Sequence, residues 1–230
     1  SARETAMRVA AGAIAKKFLK DKLDVDIFGY INQIGEHKIN NFDKEIINTN
    51  PFFCPDESLI PILEKYIDQL REEGDSIGAS ISVEASNMPL GLGEPVFDKL
   101  DADLAHGLMS INAVKGVNIG SGMNSAQLTG EQNSDEIFKK GKDINFKSNN
   151  AGGILGGISS GQEIVVSFAV KPTSSILTSR KTVDKFGKNT SISVKGRHDP
   201  CVGIRAVPIG EAMMNCVLLD HYLMNIAQCK

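Results

Sequence analysis

Three ionisable side chains of different chemistry stand in a row at Arg197, His198 and Asp199, within the run Lys195–Cys201. A guanidinium group binds carboxylates and phosphates through paired N–H donors. An imidazole or a carboxylate can accept a proton from a bound molecule. Pro200 stiffens the end of this turn and favours an extended backbone at Asp199. The turn therefore predicts a place that holds an anion beside a proton acceptor.

Glycine is concentrated in a second segment, Asn149–Gly161, which holds five glycines between Gly152 and Gly161. Glycines let backbone donors and acceptors come close to a flat or phosphorylated ligand. The spacing matches neither the dinucleotide-binding fingerprint nor the Walker A loop. A tight bend between packed elements is the alternative interpretation.

A lysine, a proline and three hydroxyl side chains follow an apolar stretch at Lys171, Pro172, Thr173, Ser174 and Ser175. A cation beside hydroxyl donors on a rigid turn can bind a phosphate group without a metal ion. The alternative is a solvated turn whose hydroxyls cap the backbone.

The start of the chain offers another possible anion site at Ser1 and Arg3. The amino end of a helix presents free N–H groups and a partial positive charge. Ser1 and Glu4 also have the spacing of a capping box. An ordinary capped helix with a solvated Arg3 is the alternative.

Hydrophobic spacing and turn residues predict the elements that must position these groups. Helices are predicted over Glu4–Leu23, Ser58–Glu73, Pro95–Met109 and Pro208–Ala227. Strands are predicted over Asp24–Ile34, Ser76–Ser86, Asn112–Ile119, Gly161–Val170 and Ser191–Val194. Strands and helices do not alternate strictly, so the pattern favours an α+β fold.

Two weaker features complete the predicted organisation. The polar stretch Asn133–Asn150 is predicted to be a long loop. A faint repeat relates Ile81–Val83 to Ile192–Val194, since each precedes a proline, a glycine and a predicted helix. A duplicated α+β unit and coincidence both remain open as explanations.

Composition narrows the class of protein. The 230 residues are 41% hydrophobic and 23% charged, as in a water-soluble domain with a large core. No apolar run approaches the roughly 20 residues that span a bilayer, and the net charge of −3 argues against nucleic acid as the main partner. Four separated cysteines form no CxxC pair, which argues against a zinc site and favours a reducing cytoplasm.

These segments together resemble the chorismate synthase family, and the similarity extends over essentially the whole chain. The matching stretches are Ser1–Thr5, Ser110–Gly116, Gly152–Gly161, Lys171–Ile176 and Gly196–Pro208. The resemblance implies an α+β sandwich of antiparallel sheets and helices with internal duplication. It also implies one core domain over residues 1–230, assembled as a homotetramer.

The resemblance implies an activity as well. Enzymes of this family convert 5-enolpyruvylshikimate 3-phosphate to chorismate by a 1,4-anti elimination of phosphate, in the shikimate pathway of aromatic amino acid biosynthesis. They use reduced FMN with no net redox change, and NAD(P)H enters only as a possible reductant of the flavin. We expect a cytoplasmic lyase without nucleic acid, membrane or metal partners.

The resemblance also implies a set of site residues. Those expected to bind the flavin are Ser1, Asn112, Ala113, Gly156, Lys171, Pro172, Thr173, Ser174, Ser175 and Arg197. Arg3 and Arg197 are expected to bind anionic groups of the substrate. Asp199 is expected to help move the ring proton, with His198 supporting the turn.

Relative to the family, the sequence lacks an N-terminal portion that carries two catalytic histidines and an arginine cluster. An N-terminally truncated core is therefore expected. A catalytically inactive fragment that binds FMN and oligomerises is the alternative to an active enzyme.

Overall fold

The computed structural model describes residues 2–141, 143–196 and 198–229. Its α-helices are α1 (Thr5–Leu23), α2 (Ile60–Glu73), α3 (Leu100–Met109) and α4 (Gly203–Cys229). Short 3-10 helices cover Ala2–Glu4, Lys44–Thr49, Glu57–Leu59 and Gly122–Gln127. The longer strands are β1 (Asp26–Ile34), β3 (Ala79–Ser86), β4 (Val114–Ile119) and β9 (Ile164–Val170). The shorter strands are β2 (His37–Lys38), β5 (Ile137–Lys140), β6 (Asp143–Phe146), β7 (Ile154–Leu155), β8 (Ile158–Ser159), β10 (Arg180–Val183) and β11 (Asn189–Ile192).

The central sheet has five strands in the order β2-β1-β3-β9-β4. In β9, alternate residues are β-branched or aromatic and fully buried, which is the pattern that a packed sheet face selects. On β9 these residues are Ile164, Val166 and Phe168. Three separate antiparallel hairpins, β5–β6, β7–β8 and β10–β11, complete the strands.

Helix α2 confirms its prediction from sequence. Leu63, Ile67 and Leu70 lie on one stripe and are buried. Gly74 ends the helix in the left-handed conformation, with φ of 66°. The Ala- and Gly-rich helix α1 is confirmed too, because a Cβ on Gly12 would lie 2.4 Å from the Cα of Ala212, so these backbones approach closely.

Two predicted helix starts are wrong. Helix α4 begins at Gly203, so Pro208 lies inside the helix rather than in its first turn. The Pro208 ring therefore interrupts the backbone hydrogen-bond pattern within the helix rather than starting it. Helix α3 begins at Leu100 rather than Pro95, and the Leu100 N–H donates to the carbonyl of Gly157 instead.

Among the strands with exposed side chains, only β11 was predicted, in part. Asn133–Asn150 is not a plain loop, because it contains the hairpin β5–β6. Strand β11 ends at Ile192 rather than Val194 and pairs with β10, which has no sequence signal because all its side chains are exposed. The segments of the suspected repeat also differ, since Ile81–Val83 belongs to the central sheet and Ile192 to this separate hairpin.

The chain divides into two compact units. Unit 1 comprises the described residues of 1–29, 82–168 and 207–230, and unit 2 comprises 30–81 and 169–206. The expectation of a single core domain stays a prediction. Within the described residues, no helix is both long and apolar enough to cross a membrane.

Candidate functional site

The predicted flavin residues Asn112 and Ala113 lie in a tight turn of unit 1, between α3 and β4. The Val114 N–H donates to the Ile111 carbonyl over 3.2 Å, which closes the turn. Ala113 has φ of 70° at the third position of this turn, where glycine is normally found. A left-handed alanine costs roughly 1–2 kcal/mol, so its surroundings must hold it there.

The Asn112 side chain is anchored to the start of the chain. Its Nδ2 donates to Glu4 Oε1 over 2.8 Å. Glu4 is therefore tied to a side chain 108 residues away. Ser1 lies outside the described residues, so the capping box predicted for Ser1 and Glu4 stays a prediction. Arg3 is exposed on the first 3-10 helix.

Gly156 lies at the tip of the β7–β8 hairpin, in the glycine-rich segment of unit 1. Gly156 and Gly157 form a two-residue turn with φ of 62° and 84°, the pattern of a type I′ turn. A Cβ on Gly156 would meet nothing within 4 Å, whereas one on Gly157 would lie 2.4 Å from Lys99. Gly157 is thus needed for packing, and Gly156 leaves an open approach to the backbone.

One carboxylate organises the start of the glycine-rich segment. Asp135 accepts hydrogen bonds from Ser148 Oγ at 2.6 Å and from the N–H groups of Asn150 and Ala151 at 2.7 and 2.9 Å. Burial alone would raise the pKa of Asp135, but these hydrogen bonds outweigh it and lower the pKa. Sequence reading missed Asp135 because its partners lie 13 to 16 residues away.

The segment Lys171–Ser175 lies in unit 2 and is held through its backbone. The Thr173 carbonyl accepts from Ser76 Oγ over 2.7 Å. Among the described residues, the Lys171 ammonium makes no ion pair or side-chain hydrogen bond, and the side chains of Lys171, Ser174 and Ser175 are exposed. The Thr173 and Ser175 hydroxyls share a hydrogen bond of 3.3 Å, so the Lys171 ammonium and the Ser174 hydroxyl are the groups most open to an anionic ligand.

The turn that carries Asp199 lies in the same unit. His198 Nε2 donates to the Asp75 carbonyl over 3.1 Å, which gives this imidazole a structural contact. The Pro200 carbonyl accepts from the Ile77 N–H over 2.8 Å. Residues 75–77 thus contact both this turn and, through Ser76, the Lys171–Ser175 segment. Arg197 lies outside the described residues.

Asp199 is exposed and lines a cavity of about 640 Å³ within unit 2. The cavity is also lined by Pro51, Phe52, Phe53, Glu64, Ile67, Asp68, Arg71, Pro200, Cys201, Ile204 and Arg205. Arg71 pairs with Asp68, whereas the Arg205 guanidinium has no such partner among the described residues. Burial raises the pKa of the Cys201 thiol. Sequence reading gave Arg205 and the two phenylalanines no role, because nothing in their spacing links them to Asp199.

The sequence of the chain is similar to those of known proteins. Residues 1–223 match the chorismate synthase family. The chain belongs to that family. It is 68% identical over 236 residues to the chorismate synthase of Pelagibacter ubique (strain HTCC1062), an alignment that covers 100% of this chain and 65% of the relative.

A solved structure supports the same family relationship. A crystal structure of chorismate synthase superimposes with a TM-score of 0.81 at 32% identity, covering 98% of this chain and 64% of that one. This match confirms the predicted α+β fold. The chain spans just under two thirds of the length of these relatives.

Proposed function

We propose that this protein acts as a chorismate synthase, eliminating phosphate from 5-enolpyruvylshikimate 3-phosphate with the help of reduced FMN. The family relationship supports this proposal. The observation that carries the proposal within unit 2 is the arrangement around residues 75–77. Residues 75–77 contact the segment Lys171–Ser175, and they also contact the turn that carries Asp199.

Lys171, Thr173, Ser174 and Ser175 fit the phosphate of FMN. Their ammonium and hydroxyl groups are the donors that phosphate oxygens require, and Pro172 restricts the backbone between them. In unit 1, Asn112, Ala113 and Gly156 are the residues proposed to contact the flavin, with an open backbone at Gly156. Ser1 and Arg197 are proposed for the same role and lie outside the described residues.

Asp199 is the proposed proton-transfer residue. Its carboxylate is exposed at the cavity and has no hydrogen-bond or ion-pair partner among the described residues, so its oxygens are available to accept a proton. Arg3 and Arg197 are proposed to bind the anionic groups of the substrate, as guanidinium groups suit carboxylate and phosphate. When bound, reduced FMN supplies electron density transiently with no net redox change.

The proposal extends to the assembled protein. A homotetramer in the cytoplasm is expected, with NAD(P)H acting only as a possible reductant of the flavin. The second candidate is a catalytically inactive core that binds FMN and oligomerises. This second candidate is included because the chain covers just under two thirds of each relative.

Activity separates the two candidates. Chorismate formation is measured with reduced FMN and 5-enolpyruvylshikimate 3-phosphate, both for these 230 residues and for a chain extended to the length of the relative. Product from the short chain would exclude the inactive core. Absence of product from the extended chain would contradict the proposed function.

The same assay tests Asp199. We expect Asp199→Asn to lower the rate of the active form by about 10²–10⁴-fold, the usual contribution of a positioned acid or base. Glu64→Gln removes another carboxylate of the same cavity and should change the rate little. Equal rates in the two variants would remove Asp199 from the chemistry.

Flavin titration tests the phosphate site. We expect Lys171→Ala to raise the Kd for FMN by about 10–100-fold, the value of a hydrogen bond between charged groups. Lys181→Ala changes another exposed lysine of unit 2 and serves as the control. Equal FMN affinity in the two variants would reject the role of Lys171.

A further inference from the structure

The turn at Asn112 and Ala113 is held from outside by a helix distant in sequence. Arg8, in the first turns of α1, donates from Nη1 to Ser110 Oγ over 2.6 Å and from Nη2 to the Ser110 carbonyl over 3.2 Å. Ser110 Oγ donates in turn to the Gly107 carbonyl over 2.6 Å. The planar guanidinium therefore fixes the residue that leads into the strained turn.

Glu4 links this contact to the other side of the turn. Its Oε2 accepts from Arg8 Nε over 2.8 Å, while its Oε1 accepts from Asn112 Nδ2 over 2.8 Å. The Glu4 carboxylate, ion-paired with Arg8, acts only as an acceptor, so it fixes which end of the Asn112 amide faces it. The Asn112 oxygen is then left as an acceptor on an exposed side chain.

We propose that Glu4 and Arg8 are positioning residues that hold the strained Ile111–Val114 turn and set the orientation of the Asn112 amide for the flavin. The inference rests on the proposed function for its ligand, and on the contacts within unit 1 for its geometry. Sequence reading assigned Glu4 to a cap and gave Arg8 no role. Neither residue needs to touch the flavin to act in this way.

Variants of Glu4 and Arg8 can change the hydrogen-bonding geometry of each side chain while keeping its shape or its charge. Glu4→Gln keeps the shape but offers an amide that can donate to the Asn112 oxygen, which allows the Asn112 amide to turn over. Arg8→Lys keeps the positive charge but cannot reach Ser110 and Glu4 with a planar fork. The control is Lys17→Ala, which removes an exposed ion pair with Asp21 (3.1 Å) on the same helix.

The first measurement needs no flavin. Hydrogen exchange at the Val114 amide reports closure of the turn, and the side-chain amide signals of Asn112 in ¹⁵N NMR report its orientation. We expect Glu4→Ala to speed exchange at Val114 by about tenfold, as the loss of one charged hydrogen bond implies. We expect Glu4→Gln to shift the Asn112 signals. Exchange and signals that match those of Lys17→Ala would overturn the positioning role.

The second measurement is the Kd for FMN and the visible circular dichroism of the bound flavin, which a general loss of stability would not change. We expect Glu4→Gln and Arg8→Lys each to raise the Kd by about 3–10-fold and to alter the flavin spectrum, while Lys17→Ala does neither. Altered exchange with unaltered flavin binding would overturn the inference. No FMN binding by the unmutated protein would overturn the proposed function instead, and the exchange result would still decide whether Glu4 and Arg8 hold the turn.

Discussion

Two carboxylates, one in each unit, accept hydrogen bonds from neighbouring segments of the chain, and they do so in different environments. The Glu4 side chain in unit 1 is 45% exposed and accepts from Arg8 and Asn112. Asp56 in unit 2 is 1% exposed and accepts from the N–H groups of Asn40, Asn41 and Ser58 and from Ser58 Oγ. The exposed carboxylate orients a side chain near water, whereas the buried carboxylate accepts from the backbone of two segments.

The difference indicates what each carboxylate contributes. Exposed ion pairs add little to stability because water competes for both partners. A buried carboxylate that accepts several hydrogen bonds is different, because removing it takes away the acceptor that all of its donors share. We therefore expect Glu4 to matter for ligand geometry and Asp56 to matter for folding.

The largest expected effect is that of Asp56→Ala. It removes the acceptor of four hydrogen bonds, so we expect the free energy of unfolding to fall by about 3 kcal/mol. Chemical denaturation measures this change. Asp43→Ala is the matched control, because Asp43 is exposed and its Oδ1 accepts a hydrogen bond from the Glu45 N–H. Equal losses in the two variants would contradict the distinction between buried and exposed carboxylates.

Asp56 should also affect how the free energy of unfolding depends on pH. Hydrogen bonds from Ser58 and the Asn40 N–H hold the pKa of Asp56 well below its usual value. A group whose pKa is lower in the folded state stabilises the fold above its unfolded pKa, about 3.9 for Asp. This contribution is lost as the pH falls from that value through the folded pKa. We expect unfolding free energies measured from pH 5 down to pH 2 to fall less steeply in Asp56→Asn than in the unmutated protein, and parallel curves would contradict this.

Sequence alone predicted elements whose stability comes from periodic burial. Helix α2 follows from the spacing of Leu63, Ile67 and Leu70, and the buried central strands follow from their alternation. The hairpin β5–β6 and the strand β10 escaped prediction because the hydrogen bonds of paired backbones leave no hydrophobic pattern. The start of α4 escaped because the helix continues through Pro208, a residue that sequence rules place in a first turn.

The candidate site divides in the same way. Lys171, Ser174 and Asp199 could be selected from residue type and order, since their side chains are exposed. Glu4, Arg8 and Asp135 could not, because each acts through a partner that only folding brings near. Residues that bind directly leave local signals, whereas residues that position others do not.

The smallest expected effect concerns Ala113. Glycine tolerates φ of 70° without the steric cost that alanine has there, so Ala113→Gly should raise the free energy of unfolding by about 0.5 kcal/mol after the larger loss of backbone entropy. Ala113→Val should lower it by about 1 kcal/mol, because a β-branched side chain fits this conformation poorly. Chemical denaturation of both variants measures these changes.

The Ala113 variants also test whether Glu4 and Asp56 differ in their coupling to the strained turn. If Glu4 holds the turn against the strain at Ala113, Glu4→Ala should open the turn less in the Ala113→Gly protein, where the strain is absent. Hydrogen exchange at Val114 measures this coupling in the two single variants and the double variant. Asp56→Ala should show no coupling to Ala113→Gly, because its donors all lie in unit 2. Additive effects of Glu4→Ala and Ala113→Gly would mean that Glu4 orients the Asn112 amide without supporting the strained backbone.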